Sequence, residues 1–384
     1  MNIGMPLSER ASVLFVTMIV VLGGHASAQT RLGEASEAPY KIINTVGFLC
    51  PGRFDYIYAD SQARCLYVPR GEMVMTFDLD TLQQGKPVLN TYRTNGVTID
   101  PKSKHGFTSS KPVVMWNTTT SEMIKTIDVK GDPRRIFFDP LTERVFVLSG
   151  TVPNGTVLDG KDGSIVGTLD LGGLPEQAAS DGQGHLYIDL KDKDSVAVLD
   201  VNTLKVTGTF TLGGKGQQPC GLGLDAKNHI LFVYCVNSSN VVILNAADGK
   251  ILETLPTGRA VEVGGFNPQT MEAFSSQGDG TLTIIKEKNP ASFMVEQTVA
   301  TFSHARTCTL DAKTNNIILV APEHLDKPTS PASPPVAFAT PVQTATATYA
   351  TASIASPGGY GTPGQAIPAV HRLGVMLHIF VVGR

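Results

Sequence analysis

Residues 217–255 read QQPCGLGLDAKNHILFVYCVNSSNVVILNAADGKILETL and contain four short apolar runs. The runs are rich in β-branched and aromatic residues, and turn-forming Asp, Asn, Ser and Gly residues separate them, which indicates strands rather than helices. The runs cover residues 221–224, 230–234, 241–244 and 251–255. Together they predict one antiparallel meander. Its length is informative, because repeats of about 20–50 residues are typical of solenoids, propellers and arrays.

A marker residue shows that this unit repeats. An Asp or Asn ends one apolar run and precedes the next at seven places, which lie 39 to 44 residues apart. Several of the markers are followed by Pro or Gly, as tight turns prefer. The seven markers are Asp60, Asp100, Asp139, Asp181, Asp225, Asn267 and Asp311. The sequence therefore predicts seven units of four strands.

The two ends of the repeat indicate a closed ring. A surplus strand, residues 42–46, precedes the first marker, whereas the last unit has only three strand-like runs before Arg384. If the N-terminal strand completes the C-terminal blade, no inner edge is left for other chains to pair with. An open solenoid would instead need polar caps, and none is visible. We therefore predict an all-β fold, a seven-bladed β-propeller of four-stranded antiparallel blades, closed by the N-terminal strand.

The fifth unit also resembles a known repeat. Its segments LFVYCVN (231–237), NVVIL (240–244) and DGK (248–250) are the ones that carry the likeness. They resemble the bacterial YVTN-type (YncE-like) β-propeller repeat, and the resemblance extends over residues 40–320 and the C-terminal strand. It implies a propeller fold. Because members of that family share no single activity, the resemblance implies no particular reaction.

Residues 1–28 have the pattern of a signal peptide. Arg10 precedes an apolar core at 13–22, and small residues occupy 26–28, as at a cleavage site. The core is shorter than the about 20 residues that span a bilayer; an uncleaved anchor is the alternative. We expect cleavage before Gln29, a periplasmic or secreted bacterial protein with no membrane span after cleavage, and a single propeller domain over residues 29–384.

Composition restricts the partners. The formal charge of −3 gives no basic field that would favour nucleic acid. Residues 322–372 are dominated by Pro, Ser, Thr, Ala and Gly, which predicts a disordered insert in the last blade. A solvated excursion and a tether for a partner are both compatible with this composition.

The first strand of each blade lines the channel of a propeller, so equivalent positions form a ring. Five residues before each marker stand Asp55, Asn95, Arg134, Glu176, Cys220, Glu262 and Arg306. All except Cys220 are polar or charged and are the candidate ligand-binding residues. They would converge at one mouth of the channel to hold a small polar ligand or a partner. Alternatively, the arginines only neutralise the carboxylates.

Five cysteines occur, at positions 50, 65, 220, 235 and 308. If a turn centres on residues 226–229, Cys220 and Cys235 face each other across a hairpin, at a separation that suits a disulfide. We take this pair as the disulfide candidate. Two small buried residues would explain the same pattern.

The sequence gives no motif for catalysis or metal binding. His105, His185 and His229 fall in turns of different blades and are not expected to converge on one ion, and His304 alone is a weak ligand. We expect no metal, no cofactor and no catalytic residue. The leading hypothesis is a monomeric binding scaffold for an unknown protein or small polar ligand. The alternative is a lactonase-type hydrolase that uses the polar ring, with or without a divalent metal.

Overall fold

The computed structural model describes residues 39–49, 54–324 and 375–384. These ranges contain twenty-seven strands and no helix, so no helix able to cross a membrane is found in them. The predicted signal peptide (1–28), Cys50 and nearly all of the predicted insert (322–372) lie outside the described residues. In chain order the strands are β1 (Lys41–Leu49), β2 (Tyr58–Asp60), β3 (Cys65–Asp78), β4 (Val88–Thr94), β5 (Val97–Asp100), β6 (His105–Thr108), β7 (Val113–Asn117), β8 (Met123–Ile127), β9 (Pro133–Asp139), β10 (Arg144–Ser149), β11 (Asn154–Asp159), β12 (Ile165–Asp170), β13 (Pro175–Ser180), β14 (His185–Leu190), β15 (Ser195–Asp200), β16 (Lys205–Thr211), β17 (Pro219–Asp225), β18 (Ile230–Cys235), β19 (Asn240–Asn245), β20 (Ile251–Pro256), β21 (Val261–Asn267), β22 (Glu272–Gln277), β23 (Thr281–Asn289), β24 (Ser292–Ala300), β25 (Thr307–Asp311), β26 (Asn316–His324) and β27 (Val375–Gly383).

The strands form seven separate antiparallel sheets, one for each predicted unit. Blades 2 to 6 each use four consecutive strands: β5–β8, β9–β12, β13–β16, β17–β20 and β21–β24. Blade 1 contains β2, β3 and β4. Arg64 and Leu79 flank the two ends of β3, and the backbone N–H of Leu79 donates to the carbonyl of Arg64 at 3.0 Å. A straight strand of that length would span about 45 Å, so β3 folds back at Gly71, where φ is 64°, and supplies two strands of the blade.

Blade 7 joins the two ends of the described chain. Its strand order is β1-β27-β26-β25. The β1–β27 ladder runs from Lys41 opposite Gly383 to Leu49 opposite Met376. The predicted closure by the N-terminal strand is therefore confirmed, as is the seven-bladed propeller.

Each blade buries both of its faces, and β18 shows how the sequence achieves this. All six residues of β18 are buried. Leu231 and Val233 pack in the cluster shared with blade 4, whereas Phe232 and Tyr234 pack in the cluster shared with blade 6. Alternate residues of a strand point to opposite faces, so a strand between two neighbours reads as an unbroken apolar run. Each large apolar side chain buried in this way contributes about 1.5–3 kcal/mol.

The marker residues cap the turn that follows each innermost strand. The Asp225 carboxylate accepts hydrogen bonds from the backbone N–H groups of Lys227 (3.0 Å) and Asn228 (3.3 Å). The turn ends at His229, which is left-handed with φ 55°. A left-handed residue also follows other markers by four positions, at Arg64, Lys104, Glu143, Met271 and Asn315. The repeated Asp or Asn is thus explained by one recurring turn.

Two buried markers also join neighbouring blades. Asp139 accepts a hydrogen bond from Ser180 of blade 4 at 2.9 Å. At the seam between blades 7 and 1, the guanidinium of Arg64 donates to both carboxylate oxygens of Asp311, at 2.7 and 2.8 Å. A bidentate pair such as Arg64–Asp311 fixes orientation as well as supplying energy, so it ties blade 7 to blade 1.

Candidate binding site at the channel mouth

The seven predicted ring positions all lie where the chain enters an innermost strand. Glu176, Cys220 and Glu262 are the second residues of β13, β17 and β21. The others stand at the corresponding places in the remaining blades, and the structure does not use them equally.

Arg135 is the central cation of this mouth. Its guanidinium forms ion pairs with Asp55 of blade 1, at 3.6 Å, and with Glu176 of blade 4. It also stacks over the ring of Tyr56, 3.9 Å from the centroid, a favourable position for a cation on an aromatic face. Arg135 therefore connects three blades across the mouth.

The predicted ring member of blade 3, Arg134, is placed differently. A β-bulge interrupts the ladder here, because Leu148 is opposite Arg135 and Ser149 is opposite Pro133. The bulge leaves Arg134 out of register, and its side chain pairs with Asp132 at 3.3 Å. The next residue, Arg135, takes the channel-facing position that the count of five residues assigned to Arg134.

A second ion pair completes the mouth. Arg306 of blade 7 binds Glu262 of blade 6 at 2.6 Å, and the charge of Asp55 acts on Glu262. Lys191, in the loop after β14, binds Glu176. Six charged side chains thus lie together at the mouth in two ion-paired groups whose charges act on each other, and we call them the mouth network: Lys191, Glu176, Arg135, Asp55, Glu262 and Arg306.

The two ends of the mouth network are cationic and accessible. Lys191 and Arg306 are 38% and 48% exposed, whereas Glu176 is 8% exposed. Burial and the charge of Asp55 raise the pKa of Glu262 to about 7. Burial likewise raises the pKa of Asp55. The nearby carboxylate thus makes the Glu262 carboxyl group harder to ionise, because two neighbouring carboxylates resist full ionisation.

A cavity of about 210 Å³ opens beside this network. Its walls include the Cys220 thiol, the Gln218 side chain and five members of the mouth network: Arg135, Glu176, Lys191, Glu262 and Arg306. Its volume equals that of about seven water molecules in the liquid. A small ligand with charged groups fits it better than a large apolar one.

Gln177, the residue after Glu176, joins the inner edges of blades 5 and 6 by hydrogen bonds. Its side-chain amide donates to the carbonyl groups of Leu222 (3.2 Å) and Gly264 (2.7 Å), and its oxygen accepts from the N–H groups of the same two residues. These backbone groups belong to the inner edges of blades 5 and 6, which approach so closely that a Cβ on Gly221 would lie 2.8 Å from the Gly264 nitrogen. One side chain thus satisfies two free strand edges.

Two other predicted residues have structural contacts instead of a place in the network. Asn95 donates to the carbonyl of Pro133 at 2.9 Å, which links blade 2 to blade 3. Cys220 is at a bulge, because Pro219 is opposite Cys235 and Gly221 is opposite Tyr234.

The proposed disulfide between Cys220 and Cys235 is not formed in the structure, where both are free cysteines. The bulge breaks the register on which the pairing depended. As a result, Cys220 packs toward blade 6 and Cys235 toward blade 4. Cysteines on opposite faces of one sheet lack the geometry that a disulfide needs.

Sequence counting missed Arg135, Lys191 and one further residue, Asp189. Asp189 lies on β14, opposite the bulge at Glu176 and Gln177. It is fully buried, and neither carboxylate oxygen has a hydrogen-bond partner. Burial and the nearby charge of Glu176 raise its pKa well above the ordinary value. An Asp inside an otherwise apolar strand was the available signal.

Within the described parts of the chain, no group of three or more His, Cys, Asp or Glu side chains is arranged to hold a metal ion. No protein-family model matches this sequence, and no curated protein is similar to it. Solved structures, however, share its architecture.

One chain of a structure described as the crystal structure of a mitotic checkpoint complex is similar, with a TM-score of 0.64 and 12% identity over 82% of this chain and 96% of that one. The structure of U3-55K is also similar, with a TM-score of 0.60 and 8% identity over 71% of this chain and 90% of that one. At such identities the likeness shows the fold alone. This chain is a seven-bladed β-propeller.

Proposed function

We propose that this chain is an exported, monomeric binding module of the YVTN-type propeller class, whose mouth network recognises a small ligand with charged groups of both signs. The observation that carries the proposal is that five charged side chains of the mouth network line one 210 Å³ cavity. Propellers commonly present binding surfaces at their channel mouths, which supports the assignment to this end of the ring.

The exposed ends of the mouth network suit an anionic group. Lys191 and Arg306 each have one carboxylate partner within the network, and their exposed surfaces leave hydrogen-bond donors for a ligand carboxylate. The Glu262 carboxyl group lines the same cavity and suits a cationic group, because a nearby positive charge favours the ionised form of a carboxyl group. A zwitterion of amino-acid size would engage both features at once.

A titration with matched variants tests this. Isothermal titration of the purified protein with the common amino acids and with small diamines and dicarboxylates should reveal saturable binding. Arg306→Gln should weaken that binding at least tenfold, about 1.4 kcal/mol. Arg134→Gln is the control, because Arg134 sits next to the network and pairs only with Asp132. Equal losses in the two variants, or no binding by any member of the panel, would refute the proposal.

One observation favours a second candidate, a hydrolase of the lactonase type. The pKa of Glu262, raised to about 7 by burial and by Asp55, suits a general acid or base at neutral pH. Turnover of simple lactones and esters, followed against pH, separates the two functions. Glu262→Gln would abolish turnover in a hydrolase. Elemental analysis and thermal shifts with Ca²⁺, Mg²⁺ and Zn²⁺ would detect a retained metal, which the binding proposal does not require.

A further inference from the structure

A second cavity, of about 380 Å³, lies between blades 4 and 5. It is at the end of the ring where the marker turns lie, opposite the mouth network. Its walls combine polar and aromatic side chains: Asp181, His185, Tyr187, Phe210, His229 and Ala246. The groove therefore brings together the marker turns of two neighbouring blades.

Asp181 fixes the imidazole of His185. One carboxylate oxygen accepts from the backbone N–H groups of Gln183 (2.7 Å) and His185 (2.9 Å), and the other contacts Nδ1 of His185 at 2.8 Å. Burial would raise the pKa of Asp181, but these hydrogen bonds lower it below its usual value. An ionised Asp181 can only accept, so Nδ1 carries the hydrogen. In the neutral ring, Nε2 is then left as an acceptor.

The aromatic side of the groove, formed by Tyr187 and Phe210, is also held in place by its contacts. Tyr187 is buried, and its hydroxyl donates to the carbonyl of Ala246 at 3.0 Å. Its ring lies 6.4 Å from that of Phe210. Between them the floor is open at Gly208, where an added Cβ would meet nothing closer than Val198 at 3.9 Å. The groove thus has an aromatic side and space for a flat molecule.

The chain contains its own comparison. A similar groove of about 460 Å³ lies between blades 1 and 2, and there Asp60 and Tyr67 hold the places of Asp181 and Tyr187. Cys65 and Lys104 stand there in place of His185 and His229. The shape is therefore a property of the propeller, while the two imidazoles belong to the groove between blades 4 and 5.

We propose that this groove binds a small planar aromatic compound with a hydroxyl group. The ring would pack against Tyr187 and Phe210, and the hydroxyl would donate to Nε2 of His185, with His229 as a second polar contact. Aromatic packing stabilises such a complex beyond the effect of area burial alone. The hydroxyl orients the ligand, because a ligand without it leaves Nε2 of His185 without a hydrogen-bond donor.

Titration with p-cresol tests the proposal, and 4-methylanisole, whose oxygen cannot donate, is the matched ligand. We expect saturable binding of p-cresol that is at least tenfold tighter than binding of 4-methylanisole. Gly208→Leu, which places a side chain in the open floor, should reduce p-cresol affinity at least tenfold without lowering the melting temperature. His185→Phe should remove the preference for p-cresol over 4-methylanisole.

Arg306→Gln, at the other end of the ring, should leave p-cresol affinity unchanged, so this result is independent of the mouth proposal. Absence of p-cresol binding, equal affinity for the two ligands, or unchanged affinity in Gly208→Leu would each overturn the assignment.

Discussion

Replacing Asp311 by asparagine is expected to weaken the seam between blades 7 and 1. Asp311 is 3% exposed, and Arg64 donates to both of its oxygens. Burial alone would raise the pKa of Asp311, but hydrogen bonds from Arg64 and Thr314 lower it from 3.8 to about 2. A shift of that size corresponds to about 2 kcal/mol of folding free energy at neutral pH.

The sign of the pH dependence follows from the direction of the shift. The pKa of Asp311 is lower in the folded than in the unfolded state, so its contribution is complete above about pH 4 and is lost as pH falls toward 2. Asp311→Asn should therefore be less stable than the wild type by about 2 kcal/mol at pH 7. The difference should be constant down to about pH 5 and should shrink below pH 4.

Urea unfolding measures this difference, with the fluorescence of the one tryptophan as the signal. Trp116 is fully buried between blades 1 and 2, so it reports the loss of the ring. Asp80→Asn is the control: Asp80 pairs with the same Arg64 at 2.8 Å but is 56% exposed. Exposed pairs contribute little, so its loss should be much smaller. Equal losses in both variants, or an Asp311 effect that persists below pH 3, would refute the reasoning.

Three further changes test other parts of the fold. Because burial raises the pKa of Asp189, Asp189→Asn should be more stable than the wild type at pH 7. The difference in unfolding free energy should widen as pH rises above about 4. Urea midpoints at pH 5 and 8 measure this difference, and a difference that narrows with rising pH would contradict the prediction. Gly106→Ala would overlap the indole of Trp116 and should cost about 1–3 kcal/mol, whereas Gly208→Ala, with open space, should be neutral by the same assay. Deleting residues 29–48 removes most of β1 and should abolish the cooperative melting transition; unchanged melting would argue against the role of the closing strand.

The number of blades and their closure could be predicted from sequence because they depend on period, which a bulge does not alter. The marker at Asp225 recurs because every innermost strand ends in the same turn, and the surplus strand near Ile42 has only one free edge to join. These are features of spacing along the chain. They survive small errors in the position of any one strand.

The residues that form the mouth network were harder to predict from the sequence, because which side chains face the mouth depends on the register within each strand. In blade 3 the count selects Arg134, but the adjacent Arg135 enters the network. At Cys220 a bulge shifts the register, so that Pro219 and not Cys220 is opposite Cys235. The ion pair between Arg135 and Asp55 depends on the lengths of side chains that cross between blades. No pattern within one unit contains that information.

The grooves between blades were hidden for a related reason. His185 and His229 are 44 residues apart in the sequence and were placed in equivalent turns of different blades, where they were not expected to converge. Equivalent turns of adjacent blades are neighbours in space, so the two imidazoles line one cavity. Such pairs are found only when equivalent positions of adjacent repeats are considered together as neighbours in space.

The pairing of β1 with β27 has a consequence for biosynthesis. Lys41 leaves the ribosome early, and its partner Gly383 is translated only after nearly the whole described chain. Contacts so distant in sequence form slowly, so the nascent chain must carry an unpaired β-edge until β27 has been translated. A polypeptide truncated at either side of this ladder would keep that edge exposed to proteases and to aggregation.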